Sequence, residues 1–149
     1  MKDYISKETL AIIPYGNKKT KVIEKNGDYI INKFPNRVMD DSCQYYGSSI
    51  NGRQKGTMNL TGISYKAPII VQEEGSMIFF PTSSPRLKNC CWISLNNIES
   101  YYYDFEKKRC IIIFDNKSKL EIDVSYTILN NQILKSQRLE SIFNKRKAK

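Results

Sequence analysis

Short apolar runs separated by turn residues constrain this chain more than any other feature. Residues 21–24 and 29–32 flank Asn26-Gly27, a pair that tolerates positive φ at both positions and is the strongest local signal for a hairpin. Residues 68–71 and 77–80 flank Glu73-Glu74-Gly75 as a second hairpin. Residues 92–103, 109–114 and 119–124 then read as a meander that turns at 105–108 and 115–118. In its last strand Leu120, Ile122 and Val124 face one way and Lys119, Glu121 and Asp123 the other, the alternation of a strand with one wet face. After Val124 the period lengthens. Tyr126, Leu129, Ile133, Leu139, Ile142 and Phe143 form a helical stripe with Ser125 at its N-cap.

Antiparallel strands followed by one helix predict an α+β fold, mostly antiparallel β. The expected form is a small barrel-like or sandwich sheet capped by the C-terminal helix, since closure removes exposed strand edges. The order of elements is similar to that of pleckstrin-homology-like domains, which informs the fold and not the function. A length of 149 residues suits one independent core. Residues 1–144 are expected to form a single β-rich domain, and the basic segment 145–149 a disordered tail.

Charge narrows the partners. The chain carries 24 Lys plus Arg against 15 Asp plus Glu, a formal charge of +9. The surplus is uneven, because residues 42–72 and 75–98 contain no acidic side chain and only Glu73 and Glu74 lie between them. A polyanion is the expected partner, nucleic acid first and an acidic membrane surface second. No apolar run resembles a signal peptide or approaches a membrane span, so the protein is expected to stay in the cell.

Histidine is absent, which removes the commonest general base, the Ser-His and Cys-His nucleophile pairs and the commonest metal ligand. Cys43, Cys90, Cys91 and Cys110 have neither Cys-x-x-Cys pairs nor the spacing of a disulfide framework, and adjacent cysteines chelate one ion poorly. Reduced, mostly buried thiols are expected, with no catalytic residue, metal or cofactor. A redox-sensing role for Cys90-Cys91 would require an electropositive, accessible setting.

Residues 43–57 pack three glycines, two serines, Arg53 and Lys55 into fifteen positions without an acidic group. The stretch reads as a basic, sharply turning loop. It does not complete a P-loop, because Arg53 stands for the lysine and Gln54 for the hydroxyl that would hold magnesium. Its glycines would let the backbone approach a phosphodiester, with Ser48 and Ser49 donating to phosphates and Arg53 entering a narrow, electronegative groove. The alternative is an ordinary glycine-rich surface loop with solvated charges. Residues 83–89 form a second basic turn, bearing Arg86 and Lys88 and stiffened by Pro85. Tyr101 and Tyr103 share one face of their strand and Tyr102 takes the other. A run of three tyrosines invites stacking of single-stranded RNA bases, but packing against the sheet is the expectation.

Four blocks, in order, carry a resemblance. They are Ser42-Cys43 with Gly47-Ser48-Ser49, Gly52-Arg53 and Gly56-Thr57; Ile63-Ser64 with Lys66 and Pro68-Ile69; Phe80-Pro81-Thr82 with Ser84, Arg86, Cys90 and Trp92-Ile93-Ser94; and Val124-Ser125-Tyr126 with Asn131-Gln132. Together they resemble bacterial competence transcription factors of the ComK type. The resemblance implies a cytoplasmic, nucleoid-associated activator of DNA-uptake genes. It would read AT-rich duplex DNA at paired A-tract and T-tract boxes, largely through the minor groove, as a homodimer or a dimer of dimers. Within the matching blocks Arg53, Lys66 and Arg86 are the first expected DNA contacts, with Ser48, Ser49, Asn51 and Gly52 beside Arg53 in the same loop and Lys55 and Lys88 as phosphate neighbours. A regulatory degradation adaptor is a further implied partner, although family members carry a longer C-terminal segment than a chain stopping at Lys149, and Cys91 stands where the family favours a small residue. The competing reading is a pleckstrin-homology-like module that binds acidic headgroups through the same basic loops.

Overall fold

The computed structural model describes residues 3–74, 77–85 and 90–148. Its centre is a six-stranded antiparallel sheet in the order β3-β2-β1-β6-β5-β4, built from β1 Thr9–Pro14, β2 Thr20–Glu24, β3 Gly27–Ile31, β4 Ile69–Gln72, β5 Met77–Pro81 and β6 Trp92–Ser94. A second sheet of three strands, β7 Ile98–Asp104, β8 Arg109–Phe114 and β9 Lys119–Ile122, stands apart. Among the described residues there are also three α-helices: α1 Pro35–Tyr45, α2 Ile50–Thr61 and α3 Tyr126–Lys147.

The large sheet is buried on both faces. Ile70, Ile78, Phe80 and Ile93 point to a core shared with Cys110, Ile112 and Phe114 of β8 and with Leu129, Ile133 and Leu139 of α3. Their neighbours Ile69, Val71, Phe79 and Trp92 point the other way, onto Val38, Met39 and Cys43 of α1. Two-sided burial explains why the β4 and β5 segments read as unbroken apolar runs rather than alternations. The architecture is α+β as expected, with residues of both sheets and of α3 sharing one core, but no closed barrel forms.

Several elements differ from expectation. The first hairpin turns at Lys25-Asn26, because Gly27 already pairs with Glu24; its φ of 139° supplies the conformation that glycine tolerates best. The expected meander is broken. A 3₁₀ turn, Leu95–Asn97, separates β6, which pairs with β1 and β5, from β7, which opens the small sheet. Asn97 holds this crossing by donating from Nδ2 to Ser94 Oγ at 2.9 Å and to the Thr9 carbonyl at 3.3 Å. Tyr101 and Tyr103 do pack on the core while Tyr102 faces out. Ser125 caps α3 by accepting from the Ile128 amide, and the helix continues through Lys147, into the segment expected to lie beyond it. β1 and α1, absent from the sequence reading, are a central strand and the helix that covers it.

Cys43, Cys90 and Cys110 are buried and Cys91 half-buried, all as free thiols. Burial pushes the Cys43 thiol up to about 12 and the Cys91 thiol up to about 11. The folded state thus keeps protons that the unfolded chain releases above its ordinary value of 9.0. This contribution to stability is complete below pH 9 and declines between pH 9 and 12. Native protein at pH 8 is expected to resist iodoacetamide and to react at all four cysteines in urea; rapid native alkylation, followed by mass spectrometry, would contradict this burial.

Candidate nucleic-acid interface

The segment read as a glycine-rich loop is the end of α1, a tight turn and most of α2. Gly47, at φ 91°, turns the chain out of α1, and the Ser48 amide closes the end by bonding the Cys43 carbonyl at 2.9 Å. Ser49 is then the N-cap of α2, its hydroxyl accepting from the Gly52 amide at 2.9 Å. A Cβ at Gly52 would stand 2.8 Å from Ser48 Oγ and 3.2 Å from Ser49 Oγ. A side chain here would push both hydroxyls from their places at the helix start. Thr57 secures the middle of α2 by donating to the Pro68 carbonyl at 2.7 Å, and Gly62, at φ 79°, ends the helix.

Arg53 lies on the inner side of α2. Its side chain is only 17% exposed, with Nη1 3.1 Å from Glu73 Oε1 and Nη2 donating to the Tyr46 carbonyl at 3.5 Å. The guanidinium expected to enter a groove therefore ties the end of α1 to the β4–β5 turn. Lys55 is exposed and shares the outer face of α2 with Asn51. Arg86 and Lys88 lie outside the described residues.

Lys66 stands across a cleft of about 520 Å³ from the start of α2. Ile50 and Gln54 form one wall, Tyr65 and Lys66 another, and Ser84-Pro85 lie at the margin. The lysine occupies a left-handed backbone position, φ 48°. It is held there from below, because buried Gln132 of α3 donates from Nε2 to the Lys66 carbonyl at 2.9 Å and to the Pro81 carbonyl at 2.7 Å. One amide thus joins three of the four sequence blocks. Gln54, Tyr65 and the bracing role of Gln132 were missed by sequence reasoning. For Gln132 a signal existed, since a glutamine three residues after Leu129 falls on the buried stripe of α3.

A strong positive field surrounds Tyr65. The Lys66 and Lys135 ammonium groups lie 5.4 and 5.5 Å from its ring centre, and Lys135 Nζ also donates to the Tyr65 carbonyl at 2.9 Å. Burial, and then the charge of Lys66, lower the pKa of Lys135. Among the described residues neither lysine has a carboxylate in ion-pair range. The first turn of α2 likewise contains no acidic residue, although the Asp40 carboxylate accepts its Ile50 amide at 2.9 Å. A helix N-terminus, hydroxyls and an unpaired ammonium around one cleft are the elements of a surface suited to anions.

The fold is of the α+β class and carries a cleft edged by Lys66. The chain belongs to the ComK family: the family model described as "ComK protein" matches residues 2–148. It is 32% identical over 142 residues to a competence transcription factor of Bacillus subtilis (strain 168), a match that covers 93% of this chain and 73% of that protein. No solved structure matches. Among the described residues, no group of His, Cys, Asp or Glu is arranged to hold a metal ion, and no helix is long and apolar enough to cross a membrane.

Proposed function

We propose that this chain is a non-enzymatic competence transcription regulator of the cytoplasm that binds AT-rich duplex DNA as an oligomer, with the cleft between α2 and Lys66 against the sugar-phosphate backbone. The observation that carries this reading is the cleft in which Ile50 and Gln54, from the start of α2, stand opposite Ser64 and Lys66, with Ser48 and Ser49 just before Ile50 in the chain and Asn51 just after it. Family membership and the relative's name supply the nucleic-acid partner. Helix N-termini and hydroxyls contact phosphates well but carry little sequence information, so they set register.

Base readout falls to a guanidinium, which suits a narrow A-tract minor groove because it sheds water more readily than an ammonium. Arg53 reaches a groove only by releasing Glu73 and Tyr46, so its contribution is to hold α2 in place. Arg86, next in sequence to Pro85 at the cleft margin, is the reader in this account, with Lys55 and Lys88 as phosphate contacts.

The variants Lys66→Ala and Arg86→Ala separate the roles in duplex titrations. Lys66→Ala is expected to weaken every duplex and to reduce the slope of log K against log salt by about 0.9. Arg86→Ala is expected to cost about 1–3 kcal/mol on the boxes and much less on GC-rich sequence. Unchanged binding by Lys66→Ala would remove the cleft from the interface. Retention on acidic vesicles without duplex binding would favour the headgroup reading instead.

A further inference from the structure

The outer side of the Tyr65–Lys66 ridge opens into a second groove, about 610 Å³ in volume, along α3. Its chemistry differs from that of the first. Ile63, Ile128 and Leu134 give it an apolar lining, and Lys135 and Arg138 stand on its α3 side with no carboxylate among the lining residues. Leu134 is 53% exposed and Tyr65 69%. Against Ile128 and Leu134 a DNA backbone offers only the small C–H edges of its sugars, so phosphate binding by itself leaves the apolar part of this surface without a matched partner. Its occupant needs a hydrophobic knob with a negative charge beside it.

The chain itself presents such a knob. Phe105, at the β7–β8 turn, is the most exposed large hydrophobic among the described residues, at 83%, and lies between Asp104 and Glu106. The turn is stiff. Asp104 Oδ1 accepts the amides of Glu106 and Lys107, each at 3.0 Å, and the Phe105 ring packs edge-on against Tyr103 with centroids 5.1 Å apart. Lys107 is drawn to Glu121 on its own sheet and not to Glu106, which stands beside the ring in the chain. A preorganised tip of this kind loses little freedom on docking.

We infer that the Phe105 tip of one copy docks into the α3 groove of a second copy, with Glu106 facing Lys135 and Arg138. The strand that carries the tip is tied to the helix that lines the groove on the same protomer, the Tyr101 hydroxyl of β7 donating to Asn130 of α3 at 2.6 Å. A two-fold pair would therefore exchange the contact twice, knob into groove on each side. The inference rests on the oligomer proposed above and names the surface that forms it.

Sedimentation velocity on the full chain without DNA, over a range of micromolar concentrations, tests it. Wild type should dimerise, and Phe105→Ser, at an exposed turn where folding is not at stake, should raise the dimer dissociation constant at least tenfold. Lys135→Glu should weaken the dimer to a similar degree, and the pair Lys135→Glu with Glu106→Lys should recover most of the loss. A dimer indifferent to Phe105→Ser overturns the docking surface and leaves the oligomer standing. A wild type that remains monomeric throughout overturns both.

Discussion

Gln132→Leu is expected to destabilise the protein by about 2–6 kcal/mol while preserving side-chain volume. The substitution removes both hydrogen bonds from Nε2, to the Lys66 and Pro81 carbonyls, and leucine supplies no replacement. A buried polar group left unsatisfied costs about 1–3 kcal/mol, and here there are two. With total stability of about 5–15 kcal/mol for a domain, that is a large share. Trp92, the single tryptophan, lies in the neighbouring core and reports urea unfolding directly. Because the lost bond also braces Lys66, DNA affinity should fall under conditions where Gln132→Leu is still folded. A urea midpoint equal to that of wild type would show that the brace bears no load.

Trp92→Ala should cost about 3–5 kcal/mol, the usual range for emptying a large aromatic site in a packed core. Trp92 has no exposed surface, and its Nε1 donates to Asn36 Oδ1 at 3.0 Å. It therefore ties the central sheet to the first turn of α1, and Asn36 lines the cleft at the start of α2. The variant should unfold about 6–20 °C below wild type when followed by circular dichroism. Trp92→Phe keeps most of the packing but orphans Asn36, so it should fall between the two. A melting temperature within about 2 °C of wild type for Trp92→Ala would contradict the packing described.

The hairpins and α3 were legible because their signals are local. The turn chemistry near Asn26-Gly27, the alternation after Lys119 and the cap at Ser125 need no distant partner. The helix α2 was hidden because two glycines, each worth about 1 kcal/mol against a helix interior, argue for a loop. What overrides them is tertiary: the Ser49 cap, Thr57 bonded to Pro68 and the packing of Leu60 on the core. Misreading the helix also misplaced Arg53. An arginine on a loop is free to reach outward, whereas position 53 of a helix starting at Ile50 faces Glu73 and the Tyr46 carbonyl. The break between the sheets was invisible for a different reason. Residues 92–103 are continuous in character, and only the bonds of Asn97 to Ser94 and to distant Thr9 mark where one sheet ends. The basic, acid-poor middle of the chain contains every residue that lines the cleft except Asn36.

The central claim is that the basic cleft serves specific recognition of duplex DNA. It is tested most directly by fluorescence-anisotropy titration of the wild-type chain with a duplex carrying two spaced A-tract and T-tract boxes and with a GC-scrambled duplex, at two salt concentrations. Binding to the boxes is expected to be tighter, with a ratio between the duplexes that persists as salt is raised. Equal affinities that collapse together with salt would mean counterion release from a basic surface, and would contradict it.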